Sequence, residues 1–374
     1  MEERAAMNLP AKTLAAVAVN VRETQLRELP LPDVAPDGGL MRVDAAGICG
    51  SDWPMYLNAK PGPRILGHEM VGTVVKLGDI ARARWGLAEG DVVALEEYLP
   101  CGHCEYCRTG EYRSCLETDT QFAGSVRYGS TPLTVSPGLW GGYSQYLYLH
   151  PRSVFHRVPP GIPMHVAAMA LPIGNGFQWA VLDGHAGPGK TVVIQGPGQQ
   201  GLGCVVAAAT AGASTIILSG LKRDAHRLEV AKALGAHHTV FADAQNLAEE
   251  VKRITEGRMA DVVIECSGAD HSIVNASLPL LRKRGTFLMA TRKGSVPGFD
   301  ADQVVNKQIV FRGTRGHSYQ AVELALKTMA DGRFPLARMS SHVIGLPDLD
   351  AGLKMVGGEG REPSIHITVD PWKA

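Results

Sequence analysis

The spacing of apolar residues along the chain changes near residue 166. Before that point, short apolar runs such as MRVDAAG (41–47) and YSQYLYL (143–149) are separated by glycine, proline and aspartate. After it, apolar and mostly β-branched runs alternate with helical stretches, beginning with TVVIQ (191–195) and GLGCVVAAATAG (201–212). The first pattern predicts irregular β structure. The second predicts an α/β fold, with parallel strands joined by helices that cover both faces of the sheet.

Six apolar runs predict the strands of a doubly wound nucleotide-binding domain. They are TVVIQ (191–195), TIILS (215–219), TVFA (239–242), DVVIEC (261–266), GTFLMA (285–290) and QIVFRGT (308–314). After residue 317, the run SYQAVELALKTMADG predicts a helix with Ser318 as its N-cap. We therefore expect domains at 1–166 and 167–317, with 318–374 rejoining the first of them.

Composition and charge indicate an ordinary globular protein. The 374 residues are 45% hydrophobic and 20% charged, with 37 Lys+Arg against 37 Asp+Glu. This length suggests two domains, and the charge balance argues against nucleic acid or an anionic membrane as a partner. The N-terminal residues lack the pattern of a signal peptide, and no apolar run is long enough to cross a bilayer. We expect a reducing, cytoplasmic location.

Four cysteines with C-x2-C-x2-C-x7-C spacing predict a structural zinc site. The run CGHCEYCRTGEYRSC contains Cys101, Cys104, Cys107 and Cys115, within a predicted lobe at 96–118. Four thiolates can surround a tetrahedral ion and leave no position open for substrate. A disulfide pair would need an oxidising compartment, and iron–sulfur sites usually place the fourth cysteine differently. Any chemistry must therefore lie elsewhere.

A glycine-rich turn follows the first strand of the second domain. TVVIQ leads into Gly196-Pro-Gly198-Gln199-Gln200-Gly201 and then into a predicted helix. The G-x-G-x-x-G pattern allows a tight turn and a close approach of the backbone to pyrophosphate, whose charge faces the helix N-terminus. These five numbered residues are the expected contacts to a dinucleotide.

The end of the second strand bears on which dinucleotide binds. A domain that selects NAD carries Asp or Glu at this point to hold the ribose hydroxyls. Here the strand ends at Ser219, and Lys222 and Arg223 follow. A small residue with two nearby cations favours NADP over NAD, although both cations are also compatible with a solvated loop. Asp224, the nearest acid, is expected to cap the next helix.

A cysteine and a histidine lie in two separate glycine-rich turns, GICGSD (47–52) and GHEMVG (67–72). Cys49 and His68 could supply two ligands to a second zinc ion. A catalytic zinc takes three protein ligands and keeps one position open for a substrate oxygen. By themselves, these two fragments give only modest support for a second zinc site, because buried cysteines and turn histidines are common.

The motifs and their order resemble the zinc-containing medium-chain alcohol and polyol dehydrogenases. The likeness covers GICGSD, GHEMVG, the cysteine run, GGYSQY and VVIQGPGQQGLG, and extends from about residue 40 to the C-terminus. It implies a GroES-like β-rich catalytic domain, a Rossmann cofactor domain and two zinc ions per chain. It also implies hydride transfer between a small-molecule alcohol and NADP or NAD, in a homodimer or homotetramer.

The resemblance assigns roles to individual residues. Cys49 and His68 would be zinc ligands, Ser51 would accept the proton of the substrate hydroxyl, and Asp52 would orient a zinc-ligating histidine. Relatives place the third ligand near the start of the cofactor domain, where this chain has Leu171 and Asn175. Glu69 is therefore the expected third ligand, as in polyol-dehydrogenase-like members, with Asn175 or water as the alternatives.

Other departures leave further interpretations open. Trp53-Pro54 stands where many relatives have a relay histidine, and residues 118–140 look longer than most relatives need. That stretch could cover the substrate, with Trp53 and Trp140 as pocket walls, or could be a surface excursion. Two other functions remain: a zinc-independent quinone- or enoyl-type reductase, and a non-catalytic dinucleotide-binding protein. Cys49, His68 and Glu69 argue against the reductase.

Overall fold

In a computed structural model, residues 9–58, 62–119, 124–360 and 362–374 are described. The chain forms two compact units, Met1–Met169 with Ser340–Ala374, and Ala170–Met339. Among the described residues, no helix has both the length and the apolar character needed to cross a membrane.

Short strands dominate the first part of the chain. They are β1 (Lys12–Asn20), β2 (Glu23–Pro30), β3 (Gly39–Gly47), β4 (Arg64–Ile65), β5 (Glu69–Leu77), β6 (Val92–Leu95), β7 (Tyr146–Leu149) and β8 (Phe155–Arg157). Its helices are α1 (Asp52–Leu57), α2 (Asp79–Trp85), α3 (Glu105–Arg108) and α4 (Met164–Ala167), with a 3-10 turn at Tyr112–Ser114.

The middle of the chain alternates strands and helices, and its six strands confirm the predicted ones within a few residues at each end. The strands are β9 (Thr191–Gln195), β10 (Thr215–Gly220), β11 (His238–Phe241), β12 (Ala260–Glu265), β13 (Leu281–Met289) and β14 (Val310–Gly313). They form a parallel sheet in the order β11-β10-β9-β12-β13-β14, which is the doubly wound arrangement.

Helices connect these strands. They are α5 (Ala170–Gly176), α6 (Gln199–Thr210), α7 (Ala225–Ala233), α8 (Leu247–Ile254), α9 (Ser272–Ser277), α10 (Ala301–Lys307) and α11 (Tyr319–Ala330). A π-helical stretch at Phe177–Asp183 continues α5, and 3-10 turns lie at Lys222–Asp224, Leu278–Leu280 and Leu336–Met339.

The C-terminal segment returns to the first unit. It contains β15 (Ser340–Ile344), a 3-10 turn at Leu346–Asp348, α12 (Leu349–Val356) and β16 (His366–Val369). A seven-stranded sheet has the order β15-β16-β3-β5-β6-β8, with β7 also paired to β3, and a separate three-stranded sheet has the order β2-β1-β4. Strand β16 pairs antiparallel with β3, so the last residues of the chain lie beside a central strand.

The cofactor domain extends beyond residue 317, where we expected it to end. The second unit ends at Met339 and therefore includes α11. Helix α11 packs on α5, and the Ser318 backbone N–H donates to Gln178 Oε1 at 3.0 Å. The Ser318 hydroxyl accepts a hydrogen bond from the Ala321 N–H at 3.4 Å, which confirms Ser318 as the N-cap.

Trp140 lies in the core of the first unit, and its assignment as a pocket wall is wrong. Its side chain is 2% exposed, and its Nε1–H donates to the Val135 carbonyl at 2.7 Å. The ring packs against Tyr128 and Tyr148 at centroid distances of 6.0 and 5.5 Å. These contacts hold Tyr128 and Trp140 in the core of the first unit. Residues 120–123 lie outside the described residues, so the idea of a substrate cover there stays a prediction.

Replacing Trp140 by alanine tests whether this residue is part of the core. A buried Trp→Ala change costs about 3–5 kcal/mol, because it removes apolar contacts and leaves a cavity. We expect Trp140→Ala to lower the free energy of unfolding by that amount in urea titrations. Trp140→Phe, which keeps an aromatic ring but not the Nε1–H, should cost clearly less. Equal stability of wild type and Trp140→Ala would contradict the core assignment.

Candidate metal and cofactor sites

Two predicted glycine-rich turns meet because β3 and β5 are antiparallel neighbours. Their register places Gly47, at the end of β3, opposite Glu69, at the start of β5. Cys49 follows the first strand and His68 precedes the second, so both side chains emerge at the same end of the pair. The ligand atoms of Cys49, His68 and Glu69 lie within 4.8 Å of one another.

The carboxylate of Asp52 ties this cluster together. Asp52 is fully buried. Its Oδ2 accepts hydrogen bonds from the Cys49 backbone N–H at 3.0 Å and from the Tyr143 hydroxyl at 2.7 Å, while Oδ1 lies 3.3 Å from His68 Nδ1. A carboxylate at Nδ1 fixes the orientation of the imidazole and directs Nε2 toward Cys49 and Glu69 as a potential ligand.

Ser51 lies beside the atom of His68 that is left for a ligand bond. Its hydroxyl oxygen is 3.3 Å from His68 Nε2, and the residue is exposed. A hydroxyl at this position can exchange a proton with a group that approaches His68 from solvent. Trp53, which stands where many relatives have a relay histidine, is half-buried, and the Arg22 guanidinium lies 5.5 Å above its ring.

The electrostatics of the cluster suit a divalent cation. Burial opposes protonation of His68, but the negative charges of Asp52 and Glu97 outweigh it and raise the pKa of His68 well above its usual value. Burial raises the pKa of the Cys49 thiol, and the Glu69 carboxylate raises it further. Several anionic groups thus surround one buried point. A sulfur, a nitrogen and a carboxylate oxygen are a donor set that zinc accepts in catalytic sites.

The four cysteines of the second cluster also fit a zinc ion. Their sulfur atoms all lie within 4.8 Å of one another, and the Cys101–Cys107 and Cys104–Cys107 sulfurs are 3.8 and 3.4 Å apart. Tetrahedral Zn–S bonds of about 2.3 Å place ligand sulfurs about 3.8 Å apart. Although burial opposes ionisation, hydrogen bonds from Thr118 and from backbone N–H groups lower the pKa of Cys115 to about 6. All four thiols are free of disulfides.

The glycine-rich loop has the geometry that pyrophosphate binding requires. A Cβ at Gly201 would lie 1.9 Å from the Gly196 carbonyl oxygen, so this turn excludes any side chain there. A Cβ at Gly198 would meet nothing within 4 Å, which leaves open space at the N-terminus of α6. The loop thus presents backbone N–H groups to this space. Gln199 begins α6, and Gln200 Oε1 accepts a hydrogen bond from Asn175 Nδ2 at 3.0 Å.

A cleft of about 420 Å³ lies over this loop and continues past the end of β10. Of the predicted cofactor residues, Gly196, Gly198, Ser219 and Arg223 line it, and Arg227 lines it as well. Lys222 is not among the lining residues; its backbone N–H donates to Asp243 Oδ1 at 3.0 Å.

Asp224 is a capping residue, although in a different manner from the one predicted. Its Oδ2 accepts the Leu221 N–H at 3.0 Å, so it caps the short 3-10 turn that precedes α7 instead of the helix itself. Its Oδ1 lies 3.6 Å from Arg227. The carboxylate is therefore already engaged by the protein at the wall of the cleft.

A buried ion pair stabilises the loop after β12, which lines another side of the cleft. Lys293 and Glu265 are almost completely buried, with 3.1 Å between Nζ and Oε1. Lys293 also donates to the carbonyls of Ser267 and Ala269 at 3.0 and 2.7 Å, and Glu265 accepts the Ser267 N–H at 2.8 Å. Because Ser267 and Ala269 line the cleft, this pair sets the shape of the loop that follows β12.

Asn175 belongs to the cofactor unit, where its side chain has other partners. Besides its bond to Gln200, its Oδ1 lies 2.9 Å from His317 Nδ1. Among the described His, Cys, Asp and Glu side chains, the group that contains Cys49 and His68 is completed by Glu69.

Sequence reasoning did not identify three residues of these sites. Tyr143 lies within the GGYSQY motif, and that motif was a usable signal. Arg227 lies one helical turn after Arg223, which was a weaker signal. His366, whose Nε2 is 3.6 Å from Glu69 Oε2, comes from the last strand and had no local signal.

Comparisons with known proteins agree with this geometry. Residues 35–160 match the alcohol dehydrogenase GroES-like domain, and residues 201–331 match the zinc-binding dehydrogenase model. A Mycobacterium tuberculosis protein named "probable alcohol dehydrogenase" is 35% identical over 94% of this chain and 96% of its own length. Sorbitol dehydrogenase of Bacillus subtilis is 35% identical over 74% of each chain.

A solved structure shows the same fold. A Sinorhizobium meliloti protein described as a zinc-binding dehydrogenase and bound to NADP matches with a TM-score of 0.80 at 25% identity, covering 97% of this chain and all of its own. The predicted fold, a GroES-like unit with a Rossmann unit, is confirmed. The chain belongs to the zinc-containing medium-chain dehydrogenase family and is an oxidoreductase of the alcohol and polyol dehydrogenase type.

Proposed function

We propose that the protein is a zinc-dependent dehydrogenase that interconverts an alcohol or polyol and its carbonyl compound with NADP. The observation that carries the proposal is the convergence of Cys49, His68 and Glu69, with the Ser51 hydroxyl beside His68. Three ligands of these types leave one position open, as a catalytic zinc requires. The four-cysteine cluster would hold a second, structural zinc.

Each residue of the site has a separate task in this reaction. When bound, zinc would polarise the substrate oxygen and the nicotinamide would exchange hydride with the substrate carbon. Asp52 holds His68 in one orientation through Nδ1. Burial and the Asp52 charge raise the pKa of Tyr143 well above its usual value, so its hydroxyl stays protonated and donates to Asp52. Ser51 accepts the proton of the substrate hydroxyl and passes it to water.

The two rival functions make different use of these residues. A quinone- or enoyl-type reductase needs no metal, and it would have no use for a buried Cys–His–Glu cluster braced by Asp52. A protein that only binds the dinucleotide would need the cleft but not Ser51 at 3.3 Å from the His68 ring. The arrangement therefore favours the dehydrogenase.

Zinc content and turnover together test the proposal. We expect two zinc ions per wild-type chain, and reduction of NADP by at least one member of a panel of primary, secondary, polyol and aryl alcohols. Cys49→Ala should reduce the content to one zinc and abolish turnover with little change in melting temperature. Cys104→Ala should instead lower the free energy of unfolding by about 4 kcal/mol or more, because a structural metal is lost.

Either of two results would contradict the proposed function. One is full turnover by Cys49→Ala, and the other is a single zinc in wild-type protein purified with excess zinc. The free energy of unfolding distinguishes the two metal sites. Cys104→Ala should lower it, because the structural zinc is lost, whereas Cys49→Ala should not, because the cysteine lobe keeps its zinc.

The preference for NADP is supported by the end of β10. Ser219 is small, and its hydroxyl lies 3.5 Å from the Ile194 carbonyl. A Cβ at the next residue, Gly220, would lie 2.7 Å from Pro197 Cγ, so an acidic side chain has no room there. Arg223 and Arg227 line the adjoining cleft and supply positive charge for a 2′-phosphate.

Substitution of Arg223 tests this preference. A charge-assisted hydrogen bond is worth about 1.5–3 kcal/mol, so Arg223→Ala should raise KM for NADP about tenfold or more. The KM for NAD should change little, because NAD lacks the phosphate. Lys222→Ala is the matched control: it removes a neighbouring cation outside the cleft and should leave both KM values near wild type. Equal effects of Arg223→Ala on both cofactors would contradict the assignment.

We infer that the chain assembles as a homodimer through strand β14. This strand lies at one edge of the six-stranded sheet, and all four of its residues are exposed. Val310 and Phe311 are 54% and 36% exposed, and Phe299, 40% exposed, packs edge-on against Phe311. An exposed apolar edge strand favours pairing with another strand, and two-fold symmetry lets it pair with its own copy.

A single charge on this edge should separate the subunits. We expect Val310→Lys to shift the mass measured by light scattering from that of two chains or more to that of one. Val21→Lys is the control, because Val21 is 52% exposed in the turn between β1 and β2. A monomeric wild type, or a Val310→Lys variant of unchanged mass, would contradict this interface.

A further inference from the structure

A histidine of the last strand lies behind the proposed metal centre. His366 opens β16 and is 1% exposed. Strand β16 pairs with β3 through Thr368 opposite Gly47, and the Ile48 N–H donates to the Ile367 carbonyl at 2.8 Å. This register brings His366 next to the segment that carries Cys49.

The imidazole of His366 faces Glu69. Its Nδ1 lies 3.3 Å from the Thr368 hydroxyl oxygen, and its Nε2 lies 3.6 Å from Glu69 Oε2. Among the described residues, Nε2 has no hydrogen-bond partner within normal length. A buried ring nitrogen without a hydrogen-bond partner lowers the stability of the fold. The position of His366 Nε2 beside the Glu69 carboxylate therefore calls for a functional explanation.

Gly47 provides independent support for a functional role of the close contact between His366 and Glu69. A Cβ at Gly47 would lie 2.5 Å from His366 Nε2 and 2.6 Å from Glu69 Oε2. Any side chain at position 47 would therefore push the two groups apart. The glycine here serves close packing of a histidine and a carboxylate at the base of the cluster.

The His366 ring is placed to donate a hydrogen bond to the Glu69 carboxylate. If the Thr368 hydroxyl donates to Nδ1, the ring proton lies on Nε2 and points toward the carboxylate. Asp52 has the same relation to His68, with a carboxylate and an imidazole facing each other at 3.3 Å. Each of these two candidate ligands thus has an oriented partner behind it, which is the arrangement that holds metal ligands in place.

We propose that His366 is a positioning residue that directs the Glu69 carboxylate toward the metal, so that β16 fixes the third ligand of the site. This inference rests on the proposed function, in which Glu69 binds zinc. It gives the C-terminal segment a role in the metal centre in addition to its role in the sheet. Removing the Nε2–H should loosen Glu69 and speed the loss of this one zinc.

The test compares two amides at position 366 in the full-length, zinc-loaded protein. Glutamine places its amide near the position of Nε2, whereas the shorter asparagine reaches only the position of Nδ1. Zinc released to a chromophoric chelator is followed over time, and the d–d spectrum of the Co²⁺-exchanged protein reports the ligand set. His342→Gln is the control, because His342 lies on the neighbouring strand β15 and faces Glu362 at 3.1 Å.

We expect His366→Asn to release the zinc of the Cys49 site at least about tenfold faster than wild type, and to change the Co²⁺ spectrum. His366→Gln should release it at nearly the wild-type rate, as should His342→Gln. Release from the four-cysteine cluster should be the same in all variants. Equal release rates for His366→Gln and His366→Asn, whether slow or fast, would overturn the proposal.

The outcome also separates this inference from the proposed function. A wild-type chain that holds only the zinc of the cysteine cluster would refute the dehydrogenase proposal itself. If the wild-type chain holds two zinc ions and their release rate does not change with the side chain at position 366, only the role of His366 is refuted. Should His366→Asn fail to fold, Thr368→Val is the second variant, because it removes the hydroxyl that lies 3.3 Å from Nδ1 and so releases the ring from the orientation that places its proton on Nε2. Zinc release should then accelerate, and an unchanged rate would overturn the proposal.

Discussion

The buried carboxylate of Asp52 is the constraint on which the cluster of Cys49, His68 and Glu69 depends. It accepts a backbone hydrogen bond from Cys49, a hydroxyl hydrogen bond from Tyr143, and lies against the ring of His68. A buried anion is stable only when such partners satisfy it, so its position and theirs are set together. The Asp52 carboxylate therefore fixes the relative positions of three segments: the turn after β3, the turn before β5 and the GGYSQY segment.

The cofactor unit depends on a different kind of constraint, the close approach of backbone to backbone. Gly201 lies against the Gly196 carbonyl, and this contact closes the turn that precedes α6. On the other side of the cleft, the Lys293–Glu265 pair holds the loop after β12 through three hydrogen bonds to its backbone. Between these two loops lie the side chains at the end of β10, which we propose discriminate between cofactors.

Errors of the sequence interpretation have physical causes. Trp140 could not be placed from its neighbours in sequence, because its burial results from contacts with Tyr128 and Tyr148. The cofactor domain was expected to end before α11, since a change of pattern follows residue 317. Packing of α11 on α5 instead keeps that helix in the unit. Lys222 and Arg223 are adjacent in sequence, yet the 3-10 turn at this point leaves only Arg223 on the cleft wall.

The sequence by itself determined the strand and helix pattern of the cofactor unit, the spacing of the four cysteines and the glycine-rich loop. These features are local: hydrophobic period, ligand spacing and turn glycines act within a few residues of one another. Only the tertiary structure brought Tyr143 to Asp52, Arg227 into the cleft and His366 behind Glu69. For His366 the pairing of β3 with β5 and β16 decides the contact with Glu69, because it joins a strand from the C-terminal end of the chain to strands from its N-terminal part, and no local pattern encodes such a pairing.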